Sequence, residues 1–202
     1  MNLFKKLALL VAGAVALTGT AAATQTPPIN VRGRVVMLSD TAISVRQADG
    51  KVTAMYLSPE WSVQVMRPIA LTDIKPGSFV GAVESPLAGD VGQAHEVHVF
   101  LPGVRMGEGH APWDRPAGAM ITHGDIGSVT VTDKGHEFDL SFPGGRRHIV
   151  ARPGTPVVLI NNEGRENIRE NVEVFILAWP QSDGRLRVDA VATGVGGVAP
   201  PL

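Results

Sequence analysis

Apolar and polar residues alternate along most of the chain after residue 30, and alternation with a period of two is typical of β-strands. In the first half the alternation predicts strands at about 31–36, 41–45, 52–57, 63–66, 78–83 and 94–100. In the second half it predicts strands at about 120–132, 137–142, 147–150, 157–160, 172–179 and 186–191. Only single helical turns are expected, at about 71–76 and 165–171.

The second half of the chain repeats the first at a nearly constant spacing. Val63 and Val157 are 94 residues apart, as are Ile74 and Ile168, and the same order of runs, glycine turns and prolines surrounds each pair. Self-similarity of this kind indicates one supersecondary unit that was duplicated.

Five or six short strands in a unit of about 75 residues cannot bury both faces of an open sheet. Closing into a small barrel removes the exposed edges and fills the interior with Val, Ile and Leu. We therefore expect an all-β protein of two tandem small antiparallel β-barrels, at 24–103 and 119–202, joined by a Gly/Pro/Trp linker at 104–118. One continuous β-sandwich is the alternative.

Residues 1–23 predict that the protein is exported. Lys5 and Lys6 precede eleven apolar residues, 7–17, and small residues follow up to an Ala21-x-Ala23 cleavage site. This order is typical of a secretory signal peptide. The apolar run would rise only about 16 Å as a helix, short of the roughly 30 Å membrane core. A periplasmic or secreted location is expected, with an uncleaved membrane anchor as the alternative.

The charge of the chain limits the classes of partner that we expect it to bind, and its lack of cysteine limits the modifications that it can carry. Without residues 1–23 the chain carries 16 basic and 19 acidic side chains and no polybasic run, which disfavours nucleic acid and anionic lipid as partners. The chain has no cysteine, so lipid modification and disulfides are excluded and the modules depend on their hydrophobic cores.

Two motifs resemble an uncharacterised domain family of exported bacterial proteins. The first is Leu71-Thr72-Asp73-Ile74-Lys75-Pro76-Gly77-Ser78-Phe79-Val80, followed later by Glu96-Val97-His98-Val99-Phe100. The second is the block Gly107-Glu108-Gly109-His110-Ala111-Pro112-Trp113-Asp114. The resemblance implies tandem small barrels similar to the oligonucleotide/oligosaccharide-binding (OB) fold. Some relatives are labelled metal transporter permease, but no later segment of this chain has the length of a membrane span.

The linker carries the candidate ligand or interface residues Trp113, His110 and Asp114. Loops held by a rigid scaffold are frequent sites of binding. The alternative interpretation is structural: Trp113 fills the groove between the barrels, and the polar side chains cap backbone groups.

A second hypothesis is a divalent-metal site formed by Glu96, His98, Glu108 and His110, with Asp114 as a supporting residue. Glu96 and His98 share one face of a strand, and His and carboxylate side chains are suitable ligands for zinc or copper. A solvated Glu–His pair is the alternative, and His123, His136 and His148 are expected to be solvent-facing strand residues.

No nucleophile elbow, metalloprotease motif, phosphate loop or dinucleotide fingerprint occurs in the sequence. The sequence therefore favours a non-catalytic binding or interaction protein of the cell envelope without a cofactor, whose partner is an envelope protein, a glycan or a small ligand. The alternative is a periplasmic metal-binding accessory protein.

Overall fold

The computed structural model describes residues 26–200, and the predicted signal peptide at 1–23 lies outside them. The all-β class is confirmed. Two single 3-10 turns, Leu71–Asp73 and Arg165–Asn167, lie within the predicted helical turns. The described strands are β1 (Ile29–Leu38), β2 (Ala42–Arg46), β3 (Val52–Pro68), β4 (Phe79–Pro86), β5 (Val91–Phe100), β6 (Gly109–Pro112), β7 (Met120–Thr132), β8 (Gly135–Phe142), β9 (Gly145–Ala151), β10 (Val157–Glu163), β11 (Glu173–Pro180) and β12 (Leu186–Gly194).

Two strands differ from the sequence prediction. The segments 52–57 and 63–66 belong to one strand, β3, which is 17 residues long. Pro59 lies in its middle, where the pairing with β12 is interrupted after Leu57. Proline is tolerated there because an interrupted ladder requires no hydrogen bond from its nitrogen. β6 forms inside the stretch predicted as linker and pairs with β7.

The strands close into two rings of five. In the first barrel the hydrogen-bonded order is β12-β11-β1-β2-β3, and β12 pairs with β3 to complete the ring. In the second barrel the order is β5-β4-β7-β8-β9, and β5 pairs with β9. β10 joins the two rings, antiparallel to β3 and parallel to β5. Closure removes the exposed edges, which is the reason for expecting barrels.

Each barrel takes strands from both halves of the chain, which differs from the expected barrels at 24–103 and 119–202. β11 and β12 complete the first barrel, and β4 and β5 complete the second. The alternation of apolar residues specifies which face of a strand points inward, but not which strand lies beside it. When the two halves carry the same apolar pattern, a strand from either half can occupy the same place in a barrel.

Separate hydrophobic clusters fill the two barrels. In the first, Ile43, Val63 and Ile176 are fully buried. In the second, Phe138, Leu140 and Ile149 are almost or fully buried. The residue after each 3-10 turn enters the barrel that the chain is about to join: Ile168 belongs to the first cluster and Ile74 to the second. These positions are related by the 94-residue spacing.

The crossing between the barrels is the antiparallel pair of β3 and β10. Met66 lies opposite Ile160 at its centre. Both side chains are buried in a third cluster, which also contains Phe79, Phe100 and Val158. The two barrels are thus connected by main-chain hydrogen bonds and by a shared apolar contact.

Cutting the chain between Ala117 and Gly118, which are exposed, should leave the two fragments bound to each other. Each barrel needs strands from both fragments, so neither fragment alone can close a ring. We expect an engineered protease site there to yield, after cleavage, one particle by size-exclusion chromatography and one cooperative unfolding transition. Two fragments that elute separately in native buffer would contradict the observed pairing.

Candidate functional site

A cavity of about 610 Å³ lies where the linker meets the first barrel. Its volume is within the range typical of small-molecule sites. We call it the arginine cavity, because four arginines are among its lining residues, which are Arg32, Gly33, Arg34, Arg46, Gln47, Ala48, Asp49, Arg115, Glu173, Val174, Ala199 and Pro200. They come from β1, β2, the β2–β3 turn, β11, the linker and the end of the described chain.

Local backbone geometry explains how β1 and β2 form the floor of this cavity. Gly33 has a φ of 156°, and a Cβ placed on it would lie 2.0 Å from the carbonyl oxygen of Arg46. Only glycine therefore allows the two strands to approach so closely. The β2–β3 turn is closed by Asp49, whose Oδ1 accepts a hydrogen bond from the Lys51 amide at 2.9 Å.

Two of the four arginines are committed to ion pairs. Arg32 donates two hydrogen bonds to the Asp114 carboxylate, at 2.6 and 3.0 Å. Arg34 donates to Glu173 Oε1 at 2.6 Å and to a backbone carbonyl. The side chains of Arg46 and Arg115 are exposed and have no partner within residues 26–200. With Asp49 as the remaining carboxylate, the lining is net positive.

Trp113 and Asp114 attach the linker to the outside of the first barrel. The Trp113 ring lies 5.9 Å from the Phe175 ring and 5.7 Å from the Arg32 guanidinium carbon. Partial burial alone would raise the pKa of Asp114, but the hydrogen bonds and charge of Arg32 outweigh it and hold the pKa below its ordinary value. These two predicted residues therefore border the arginine cavity, and Arg115 follows them directly.

His110, the third predicted ligand or interface residue, lies elsewhere, in β6 at one end of the second barrel. Its Nδ1 is 2.8 Å from Thr122 Oγ1 and 3.5 Å from Glu84 Oε1. Burial lowers the pKa of His110; the charge of Glu84 opposes this shift, and that of Arg147 adds to it. The three predicted linker residues therefore contact different barrels: Trp113 and Asp114 contact the first, and His110 contacts the second.

A buried ion pair joins Glu84 and Arg147 at this end of the second barrel. Arg147 donates from Nη2 to Glu84 Oε2 at 2.6 Å and from Nε to Oε1 at 3.0 Å. Thr122 donates to Oε1 at 2.6 Å. A Cβ on Gly92 would lie 1.2 Å from Oε2, so a larger residue there would displace the Glu84 carboxylate. The sequence pattern did not predict this pair, although alternation places Arg147 on the same face of β9 as the buried Ile149.

The four predicted metal ligands do not converge. His98 Nε2 lies 2.7 Å from Glu96 Oε1 in a buried hydrogen bond. Glu108 accepts hydrogen bonds from Arg105, which also donates to Asp125 and has a half-exposed side chain. His110 is bonded to Thr122. Within residues 26–200 no group of three or more His, Cys, Asp or Glu side chains could hold a metal ion.

His123, expected to be a solvent-facing strand residue, is instead largely buried beside the Glu96–His98 pair. Its ring stacks on Phe79 at 6.3 Å and contacts Phe100 at 5.8 Å. Burial, reinforced by the neighbouring His98, lowers the pKa of His123 to about 4. The folded protein therefore requires this imidazole to be neutral.

The chain was compared with protein-family models, with curated proteins and with solved structures, and none of them matches it. Among the described residues, no helix is long and apolar enough to cross a membrane.

Removing Glu84 should be costly, because it leaves the Arg147 charge buried without a partner. We expect Glu84→Leu to lower the free energy of unfolding by about 3–5 kcal/mol. The double variant Glu84→Leu/Arg147→Met should lose much less, because no charge is left unpaired. Urea denaturation of the two single variants and the double variant measures the coupling. If the stability losses of the two single variants add up to the loss of the double variant, the assignment of a buried ion pair is contradicted.

His123 should make the protein less stable in acid. Its pKa is about 4 when folded and about 6.5 when unfolded, so its contribution is complete above pH 6.5 and is lost as the pH falls towards 4. The loss is about 3 kcal/mol. We expect His123→Phe to flatten the pH dependence of urea denaturation over this range.

His148 provides a control of opposite sign. Its hydrogen bonds with Asp139 and Glu137 raise its pKa above the ordinary value, so protonation of His148 favours the folded state. His148→Gln should therefore steepen the loss of stability in acid. Identical pH profiles for the wild type and the His123→Phe variant would contradict the role given to His123.

Proposed function

We propose that this chain is an exported, non-catalytic binding or interaction protein of the bacterial cell envelope, and that its ligand occupies the arginine cavity. The observation that carries the proposal is a cavity of about 610 Å³ with two exposed arginines, Arg46 and Arg115, that lack partners within the described chain. The signal-peptide pattern of residues 1–23 supports export and, with it, the proposal of a periplasmic or secreted location.

We further propose that each barrel is OB-like. The OB fold is a five-stranded Greek-key barrel. In the first barrel, three consecutive strands, β1, β2 and β3, form antiparallel pairs, and β12 then joins β3 in parallel. The second barrel repeats this arrangement, with β5 parallel to β9. The 3-10 turn before the fourth strand of each ring also places an isoleucine in each core.

Strand registers support a duplicated unit whose copies exchanged their last two strands. In the β3–β10 pair, Val65 lies opposite Asn161, and Arg67 lies opposite Leu159. Adding 94 to Val65 gives Leu159, and adding 94 to Arg67 gives Asn161, so each pair maps onto the other. This is the relation expected of an isologous contact between two copies.

Departures from this internal symmetry mark where the two barrels specialised. Arg32 lies opposite Phe175, and Gly81, which is 94 residues before Phe175, lies opposite His123. Arg32 and His123 therefore occupy equivalent positions in the two barrels, and by the same reasoning so do Arg34 and Asp125. The arginine cavity is therefore a property of the first barrel alone. In the same way, the buried Glu84 corresponds to Ala178, which is packed in the apolar core of the first barrel.

The fully buried carboxylate of Glu84 has the contacts of a structural residue. Glu84 is fully buried and accepts hydrogen bonds on both oxygens from Arg147 and Thr122. A catalytic carboxylate needs contact with the reacting group. The geometry of Glu84 suits a structural ion pair instead.

A metal-binding accessory function receives less support. The proposed ligands Glu108 and His110 are bonded to Arg105 and Thr122, respectively, while Glu96 and His98 are bonded to each other. Within residues 26–200 these four side chains form no group that could hold a metal ion. The geometry therefore favours binding at the arginine cavity.

Filling the cavity should abolish ligand binding without unfolding the protein. Ala48 is an exposed lining residue in the β2–β3 turn, so we expect Ala48→Trp to block the cavity. A suitable assay is a thermal-shift screen of glycans and small metabolites, where a ligand at 100 times its Kd stabilises by about 2.7 kcal/mol. Compounds that raise the Tm of the wild type should not raise that of Ala48→Trp.

The chain offers a matched control in the turn between β11 and β12. Gln181-Ser182-Asp183-Gly184-Arg185 has the same turn chemistry as Gln47-Ala48-Asp49-Gly50-Lys51, with the Asp Oδ1 accepting the amide two residues later at 2.9 Å in both turns. Ser182→Trp should bind like the wild type. Equal binding by Ala48→Trp would reject this cavity as the site. Failure of the screen, together with no protein retained from an envelope fraction, would count against a binding function.

A further inference from the structure

The charge of the arginine cavity indicates the chemistry of its ligand. Four guanidinium groups and two carboxylates line it, whereas the whole chain has a formal net charge of −1. Asp114 and Glu173 neutralise Arg32 and Arg34. With Asp49 also in the lining, an excess of one positive charge remains at this concave place, on a protein that is slightly acidic overall.

Arg46 and Arg115 are the groups that a ligand would engage. They belong to different elements, the end of β2 and the linker, and both line the cavity. Neither side chain has a partner among residues 26–200. An arginine presents a planar fork of donors that matches the two oxygens of a carboxylate or phosphate, and such charge-assisted hydrogen bonds are strong.

Part of the cavity wall is apolar. It includes Ala48, Val174, Ala199 and Pro200. An inorganic ion would leave these groups without contact, whereas a carbon skeleton attached to the acidic groups would cover them. Small-molecule sites typically combine such an apolar lining with a few polar groups that fix the orientation of the ligand.

The cavity is also distinct from the usual ligand surface of an OB fold. That surface consists of the second and third strands and the loops that follow the first and fourth strands. The arginine cavity is instead bordered by the β2–β3 turn, the start of β11 and the linker. Its position depends on the linker, which Trp113 and Asp114 hold against the barrel.

We propose that the arginine cavity binds a small organic anion, in which carboxylate or phosphate groups on a carbon skeleton pair with Arg46 and Arg115. This inference rests on the binding function proposed above and specifies its ligand class. Because the two arginines lie on separate elements, the bound anion would also tie the linker to the first barrel.

Isothermal titration of the protein with defined probes tests the inference. The carboxylate probes are citrate and digalacturonate, the phosphate probe is glucose 6-phosphate, and neutral galactobiose and inorganic phosphate are the comparisons. We expect at least one organic anion to bind, more weakly as salt is added. Arg46→Gln and Arg115→Gln should each weaken binding about 10- to 100-fold, whereas Arg152→Gln, an exposed arginine outside the cavity, should have no effect.

Each outcome separates the ligand class from the binding function. Binding by carboxylates only, or by glucose 6-phosphate only, supports the inference and identifies the acidic group. If galactobiose binds, is blocked by Ala48→Trp and is unaffected by Arg46→Gln, the anion inference is overturned but the binding function remains. Binding of inorganic phosphate as tightly as the organic anions overturns the role of the carbon skeleton. No binding by any probe overturns the anion inference, while the broader screen and the envelope retention assay still decide the binding function.

Discussion

The antiparallel contact between β3 and β10 is the interaction on which the rest of the structure depends. β3 is long enough to take part in the first barrel and then extend to the crossing, where Met66 faces Ile160. Main-chain hydrogen bonds hold this crossing, and buried side chains of both barrels surround it. From there the chain continues into the other barrel, so each barrel receives its last two strands from the opposite half.

Building each barrel from strands of both halves affects how fast the protein is expected to fold. The contacts that fill each core are distant in sequence, with strands such as β1 and β11 paired across most of the chain. Loop-closure entropy must be overcome before such contacts form, so folding is expected to be slow. In the absence of cysteine, mutual closure of the two barrels supplies the connection that disulfides provide in many small exported proteins.

The two barrels share a plan but differ in their polar residues. The second barrel holds the Glu84–Arg147 pair inside one end, while the first has an apolar interior and carries its charges outside, around the arginine cavity. This difference between the barrels is the reason for proposing that the ligand binds at the first barrel.

Local physics explains which features could be predicted from the sequence. Period-two alternation identified most strands, and Asp-Gly pairs identified turns such as Asp49-Gly50. Partner choice could not be predicted, because two halves with the same apolar pattern accept each other's strands equally. The linker was the correct place to expect polar contacts, but His110 and Asp114 contact different barrels. The buried Glu84–Arg147 pair was missed because its members are 63 residues apart in the sequence.

The most direct test of the exchanged architecture is a measurement of short interproton distances between strands by NMR. In the exchanged arrangement Arg32 in β1 lies opposite Phe175 in β11, so nuclear Overhauser effects between their backbone protons should be observed. If each half of the chain formed its own barrel, Arg32 would lie opposite Gly81, the counterpart of Phe175 in the first half. Contacts between Arg32 and Gly81 in place of Arg32 and Phe175 would contradict the account.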